Sequence, residues 1–377
     1  MKILHIITTF GIAGAEKHVQ HLLPELKQNG IDCALMLICP EHSRNAFRFL
    51  EADLERAGVP LKYIFSNSTL AISSIGKISQ YIKQNDYKYI HSHLLKTDVI
   101  VTIIKKYFIP SLKILSTKHG YEEKSLRNFT RPGFQVARNP FYYLSKYTFR
   151  NIDINIAVSN TIARLFRDFK ITKTVLPVIY HGIEMNPVDL EQPGKYKLAS
   201  EQLVLVGRLE EVKGHRYAIE AMPHILKEFP EVKLLFVGAG SLVQSLKSQA
   251  KSLGVEESIE FLGFQSDPYS YIYYSDLLLV PSQFEALGLV FLEGMSLKTP
   301  VITFDVPAGN EILDNTTGCL IPLNDSNKMA EKVISMLQQP GKRNEMAEAA
   351  YKVFLEKFTI SKMVDETISI YRKLDAS

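Results

Sequence analysis

Apolar runs and amphipathic stretches alternate along almost the whole chain. Residues 2–8 (KILHIIT) are apolar and β-branched, and residues 15–29 follow with Val19, Leu22, Leu23 and Leu26 at helical spacing. Residues 31–38 predict a second strand, 43–57 a helix and 60–65 a third strand, with further strands near 88–92, 112–116 and 153–158. The alternation stops after Tyr180. Residues 185–200 hold two prolines, a glycine and no apolar period, which predicts a linker. It then restarts as strand 203–207, helix 214–228, strand 232–237, helix 241–253 and strand 258–262. A strand at 277–280, a helix at about 288–297 and a strand at 300–304 follow, and the last 50 residues read as helix-rich.

Near-continuous apolar strands separated by amphipathic helices imply parallel sheets covered on both faces. The predicted fold class is therefore α/β, with two doubly wound Rossmann-like domains facing each other across a cleft. The expected boundaries are 1–184, a linker at 185–200, and 201–377, with the last helix either closing the second domain or returning to the first. In such sheets ligands bind beyond the carboxyl ends of the strands, at switch points and domain interfaces.

Length agrees with this division, since 377 residues exceed one ordinary core at roughly 150 residues per domain. Hydrophobic residues at 46% and charged residues at 22% exclude bulk disorder. Charge adds an asymmetry. Residues 1–190 hold 25 Lys and Arg against 15 Asp and Glu, a net +10, and the remainder has a net −6. A basic first half suggests an anionic partner: nucleic acid, an anionic membrane surface or a phosphorylated small molecule. Cys33, Cys39 and Cys319 are odd in number and form no CxxC pair, which predicts buried thiols in a reducing, cytoplasmic setting. Lys2, an apolar run and Ala13-Gly14-Ala15 imitate a signal peptide, but His5, Thr8 and Thr9 interrupt the run, so a first strand entering a glycine loop explains it better. No stretch reaches 18 uninterrupted apolar residues; Lys105 and Lys106 break the nearest, Val99–Ile109.

The candidate chemistry lies mostly in the second half. Strand 203–207 ends in Gly207-Arg208-Leu209, and Lys213-Gly214 opens the next helix. Two cations five residues apart across a strand-to-helix turn can converge on one anion, and an Arg fork with a Lys point charge suits a diphosphate. The alternative is a solvated basic turn. Next, the run from Phe284 to Glu293 sets Glu285 in a loop and Glu293 more than one turn into a helix that starts near Gly288. Free amides of Leu289 and Val290 could hold phosphate oxygens, and carboxylates suit the hydroxyls of ribose or sugar. The plainer alternative is an acidic cap and a surface glutamate. Glu293 sits among Phe291, Leu292 and Met295, where an unpaired charge would be costly.

Together these motifs resemble the retaining GT-B glycosyltransferases of glycosyltransferase family 4. The resemblance runs through Gly207-Arg208-Leu209, Lys213-Gly214, Gly238-Ala239-Gly240, Leu262-Gly263-Phe264, the Glu285/Glu293 pair, Thr299-Pro300-Val301-Ile302 and Glu311. In the first half it is looser: Gly14-Ala15-Glu16, His91-Ser92-His93, Lys118-His119-Gly120, Ala157-Val158-Ser159 and His181-Gly182-Ile183, with His181 where the family more often has Asn. The resemblance implies that Arg208 and Lys213 bind the diphosphate and neutralise the leaving group. It implies that Glu293 holds ribose hydroxyls, that Glu285 holds the donor sugar, and that Gly288, Leu289 and Val290 face phosphate or sugar. It further implies that Gly238 and Phe264 line the nucleoside pocket, that Gly14 borders the phosphates and that His119 lies near sugar and acceptor. Retention of anomeric configuration is implied in the same way. The chain has no Asp-x-Asp motif, so two cations and a helix N-terminus are expected to stabilise the leaving group without a metal, and no cofactor is expected. His91 and His93 share a strand face but have no Cys, Asp or Glu partner at ligand spacing, so a zinc site is not expected.

The expected reaction moves a sugar from a nucleotide-sugar, by default a UDP-sugar, to a glycan or lipid-linked acceptor in surface-polysaccharide or glycoconjugate assembly. Nucleic acid is not an expected partner. Two alternatives remain, a catalytically inactive nucleotide-sugar-binding protein and a nucleotide-sugar 2-epimerase. Residues 124–150 hold six Lys or Arg, no acidic residue and seven interleaved Phe and Tyr. They read either as a helix packing its aromatics inward or as peripheral contact with an anionic membrane on the inner face of the cell.

Overall fold

The computed structural model describes residues 1–11, 13–67, 72–120, 140–184 and 188–376. They form two compact units, Met1–Gly182 with Ile360–Ser377, and Ile183–Thr359.

The first unit is built on β1 (Lys2–Thr8), β2 (Asp32–Cys39), β3 (Leu61–Phe65), β4 (Tyr89–His93), β5 (Lys113–Lys118) and β6 (Ile154–Ala157). All pairs are parallel, in the order β3-β2-β1-β4-β5-β6. Alternate residues of β1 enter opposite cores, as the period of two requires. Ile3 and Ile7 pack with Val19, Leu22 and Leu26 of the first helix, and Leu4 and Ile6 pack with Ile78, Ile82, Ile100 and Ile104. The last helix, Ile360–Ala376, covers the same face as the first, inserting Met363, Val364, Tyr371 and Leu374 into that core.

The second unit repeats the design with β7 (Gln202–Val206), β8 (Lys233–Val237), β9 (Ile259–Gly263), β10 (Leu277–Val280), β11 (Val301–Phe304) and β12 (Cys319–Ile321). Its order is β12-β11-β10-β7-β8-β9, again parallel. The helix Leu289–Ser296 is buried at every position from Val290 on, which fits its uniformly apolar sequence.

Three local differences from the sequence pattern have physical causes. The helix expected at 43–57 is a 3-10 segment, Glu41–Phe47, followed by an α-helix, Arg48–Arg56. Ser43 and Asn45 are weak helix formers, and the apolar period begins only at Phe47, with Leu50 and Leu54. The three-residue β12 is too short to show a period. Residues 188–200, expected as linker, pack onto the second unit: Tyr196 is buried against Tyr271, and the Asp189 N–H donates to Ser270 Oγ. Pro193 and Gly194 there open a four-residue helix, Pro193–Tyr196. All three cysteines are free and buried, and burial pushes the Cys33 thiol up to about 12.

Candidate functional site

In the second sheet β7 lies between β10 and β8, so the winding reverses direction there. This is the switch point at which α/β sheets bind ligands. The loops beyond β7, β8 and β9 are laced together. The Gly207 N–H donates to Val237 O (3.0 Å), Leu209 N–H to Ala239 O (3.0 Å) and Gly238 N–H to Gly263 O (2.8 Å). A Cβ at Gly238 would lie 1.9 Å from Gly207 O, so backbone takes the space of a side chain. On the other side, Gly214 adopts φ +69, and a Cβ there would lie 1.9 Å from Pro281 O. The Gln283 N–H donates to Val212 O (2.8 Å), so the loop after β7 is fastened to the loop after β10.

That fastening brings Lys213 and Glu285 together across 72 residues of sequence. Lys213 Nζ donates to Glu285 Oε1 at 2.6 Å, with side chains 21% and 11% exposed. Gly207 lies beside the Lys213 stem, and Arg208, next along, is exposed. The sequence pattern placed Lys213 with Arg208 and gave Glu285 a separate task; the structure pairs Lys213 with the carboxylate. Glu293 is buried, 6% exposed, in the helix that starts after Gly288. Gly288 adopts φ +81, and a Cβ there would meet the Phe291 ring at 2.5 Å, so both the backbone and the space favour glycine. Leu289 and Val290 are the first two residues of that helix. Phe264 follows β9 and is 77% exposed.

Gly14 and His119 belong to the first unit, whose winding reverses between β1 and β4. Gly14 opens the helix Gly14–Gln28, where the Ala13 N–H donates to Glu16 Oε2 (2.8 Å). Burial raises the Glu16 carboxyl above its usual range. His119 follows β5 and is partly exposed. Behind it runs a chain of hydrogen bonds. His119 Nε2 meets His93 Nδ1 (3.0 Å), His93 Nε2 meets His5 Nδ1 (3.1 Å), and His5 Nε2 meets the Tyr371 hydroxyl (3.0 Å). The same hydroxyl reaches His91 Nδ1 (2.7 Å), whose Nε2 meets Thr117 Oγ1 (2.7 Å). His18 packs edge-on against His119 and His181, with ring centroids 4.9 Å away in each case.

Burial is the first cause that keeps these rings neutral. It lowers His5 and His18 to about 3 and His21 to about 4, with neighbouring histidines or Lys17 adding to the effect. His91, His93, His119 and His181 are likewise held well below the usual imidazole value. Beside His119, Lys118 and Asp98 form a buried pair at 2.5 Å, 5% and 1% exposed. Ser92 and Ser116 both donate to Asp98 Oδ1, which satisfies the carboxylate and fixes the end of β5. Of these residues the motif reading found His91, His93, His119 and His181. It passed over His5, His18, His21 and Tyr371. The usable signal was register: with β1 beside β4, His5 pairs with His91.

Comparisons with known proteins bear on both units. Residues 12–186 match the model described as Glycosyltransferase Family 4, and residues 190–353 match the one described as Glycosyl transferases group 1. The chain belongs to glycosyltransferase family 4. It is similar to the alpha-D-kanosaminyltransferase of Streptomyces kanamyceticus, at 31% identity over 184 residues, 48% of this chain and 48% of the relative. Over longer stretches it is similar to the N-acetyl-alpha-D-glucosaminyl L-malate synthase of Bacillus anthracis, at 25% identity over 80% of this chain and 78% of the relative. The alpha-monoglucosyldiacylglycerol synthase of Streptococcus pneumoniae matches at 23% identity over 92% of this chain and 80% of the relative. Thus the chain spans about half the length of the first of these relatives and about four-fifths of the other two. Among solved structures, Anabaena HepE in complex with UDP and glucose superposes with a TM-score of 0.82, at 19% identity, covering 99% of this chain and 100% of that one. The sucrose-phosphate synthase of Thermosynechococcus elongatus does so at 0.78 and 19% identity, covering 100% of each chain. These likenesses show the GT-B fold, two doubly wound α/β domains.

Proposed function

We propose that this family member transfers a sugar from a nucleotide-sugar, a UDP-sugar by preference, to a glycan or lipid-linked acceptor, with retention of anomeric configuration. The observation that carries this reading is the Lys213–Glu285 pair, seated at the switch point between two loops that glycine-only contacts hold together. Departure of a nucleoside diphosphate builds negative charge, and fixed cations in a partly desolvated site stabilise it. Lys213 and Arg208 supply that charge, and Glu285 orients the ammonium and accepts from donor-sugar hydroxyls. Glu293 accepts from the ribose, and the amides at Gly288, Leu289 and Val290 face the phosphates. Gly238 and Phe264 border the base, and the exposed Phe264 ring is free to stack on it. In the first unit, the family resemblance assigns Gly14 to phosphate and neutral His119 to a hydrogen bond with sugar or acceptor.

The reading needs no metal and no cofactor, because two side-chain cations do the work. The UDP in the HepE structure and the glycolipid in the name of the pneumococcal relative support the donor and acceptor classes. Incubation with a panel of nucleotide-sugars in EDTA tests the reaction. Release of nucleoside diphosphate with one donor is expected, and no turnover with any UDP-, GDP- or ADP-sugar would sink it.

Membrane contact is a second part of the proposal. Most of the basic aromatic segment lies outside the described residues, but the helix Pro140–Asn151 presents Tyr143, 56% exposed, and Lys146 lies over Tyr142 at 4.5 Å. No helix among the described residues is long and apolar enough to cross a membrane. Peripheral attachment at an inner membrane face is therefore the form proposed. Co-sedimentation with anionic vesicles, absent with neutral ones, is the expected result; equal recovery with both refutes it.

A further inference from the structure

Transition-metal ions have a place to bind in the first unit. We infer that His18, His93 and His119 form a three-nitrogen site for a borderline-soft divalent ion such as Zn2+. The proposal is independent of the transfer reaction and rests on the first unit alone. One ligand nitrogen from each ring lies within 4.8 Å of the other two. In a tetrahedral zinc site, ligand nitrogens about 2.0–2.1 Å from the metal stand about 3.3 Å apart. His93 Nδ1 and His119 Nε2 are already 3.0 Å apart. The rings come from three elements, the helix Gly14–Gln28, the end of β4 and the turn after β5, so the sheet and its first helix preorganise them.

Two further observations point to a ligand. His18 is 2% exposed, yet among the described residues its Nδ1 has no hydrogen-bond partner, a cost that coordination through that nitrogen would remove. The hydrogen-bond chain also supplies the support that metal-bound imidazoles require. With His93 Nδ1 committed to the ion, its proton sits on Nε2 and donates to His5 Nδ1. His5 Nε2 then donates to the Tyr371 oxygen, and the Tyr371 hydroxyl donates to His91 Nδ1, which leaves His91 Nε2 to donate to Thr117 Oγ1. Every link of this series has one donor and one acceptor. A second triad, His5, His91 and His93, also has clustered nitrogens. All three of its rings are 0% exposed, and the chain occupies the nitrogens of His5 and His91. The triad containing His119 includes one partly exposed ring, and a three-nitrogen zinc site leaves its fourth position to water or another ligand.

The sequence offered His91 and His93 no Cys, Asp or Glu partner at ligand spacing; the partner proposed for His93 is another histidine, His18, 75 residues away and invisible to spacing rules. An ion at this site would hold the Nε2 of His119, so it would restrain that ring rather than assist the reaction proposed above.

The experiment is calorimetric titration of tag-free, chelator-stripped protein with Zn2+, repeated with Co2+ to read the visible absorption of a nitrogen-ligated ion. One ion per chain is expected, with at least about a tenfold loss of affinity in His18→Gln and in His119→Gln and none in His42→Gln, a surface control. The partly exposed His119 keeps the test decisive if His18→Gln fails to fold. Absence of binding overturns the proposal, as does binding that survives either folded variant undiminished. Transfer activity is not read, so failure here leaves the functional reading standing, and the reverse also holds.

Discussion

At the scale of single residues, the Lys213–Glu285 pair has two tasks that mutation separates. As a partly buried ion pair it contributes about 1 kcal/mol or less to stability. As the cation facing the departing diphosphate it is worth far more, because removing one preorganised donor costs about 100- to 1,000-fold in rate. Lys213→Ala is therefore expected to lower kcat/KM by about that factor while the melting temperature moves by only a few degrees. A variant with near-normal turnover would show that the diphosphate is held elsewhere. Gly214 gives a complementary prediction about the frame. Gly214→Ala places a methyl group 1.9 Å from Pro281 O at a left-handed φ, whereas Gly254, at a similar φ of +67, has nothing within 4 Å. Gly254→Ala is expected to cost about 1 kcal/mol of backbone strain, and Gly214→Ala distinctly more, about 3 kcal/mol, because the loops after β7 and β10 must part. Urea denaturation measures both, and equal costs would mean that the contact with Pro281 yields freely.

At the scale of elements, strands and helices followed from periodicity wherever an element was long enough to show one. β10 occupies the predicted residues, and most other boundaries moved by a residue or two. What the pattern did not contain was pairing between distant elements. Glu285 and Lys213 were both noticed, but only the sheet order, with β10 beside β7, makes them partners. His5 looked like an interruption in an apolar strand, and Tyr371 like one more position in a terminal helix. The helix Ile360–Ala376 lies on the β1 face, and its Tyr371 hydroxyl joins His5 to His91 across more than 270 residues. Tyr371→Phe removes that hydroxyl and leaves two buried imidazole nitrogens competing for no partner. The expected loss is about 1–3 kcal/mol of stability, confined to the first unit. Hydrogen exchange locates it: faster exchange in peptides of β1, β4 and the last helix is the expected pattern. A uniform change across both units would contradict the assignment of this helix to the first core.

At the scale of the whole molecule, the two units share a topology but differ in how they respond to acid. Among the described residues, seven imidazoles of the first unit are held below their ordinary value: His5, His18, His21, His91, His93, His119 and His181. The second unit has one such ring, His215, lowered to about 3 by burial and then by Lys213. For each ring the folded state stays neutral while the unfolded state takes up a proton below about 6.5. The unfolded state therefore binds more protons as pH falls, and stability that is complete above pH 6.5 declines toward the folded value near 3–4. Lys17 adds repulsion for His21 and His181 and Lys118 for His119, whereas at His21 the backbone hydrogen bond with Gly182 and then Asp53 work the other way. The slope approaches about 1.4 kcal/mol per pH unit for each histidine, so one ring costs the second unit about 2 kcal/mol between pH 6.5 and 5. Seven rings at that rate come to about 14 kcal/mol, near the top of the 5–15 kcal/mol that holds a typical domain together, so the first unit should open near pH 5. Hydrogen exchange of the chelator-treated protein at stepped pH, corrected for intrinsic rates, reads each unit separately. Protection is expected to collapse across residues 1–182 and 360–376 near pH 5–6 while 188–359 stays protected, and parallel loss in both units would mean that the buried imidazoles are protonated in the folded state.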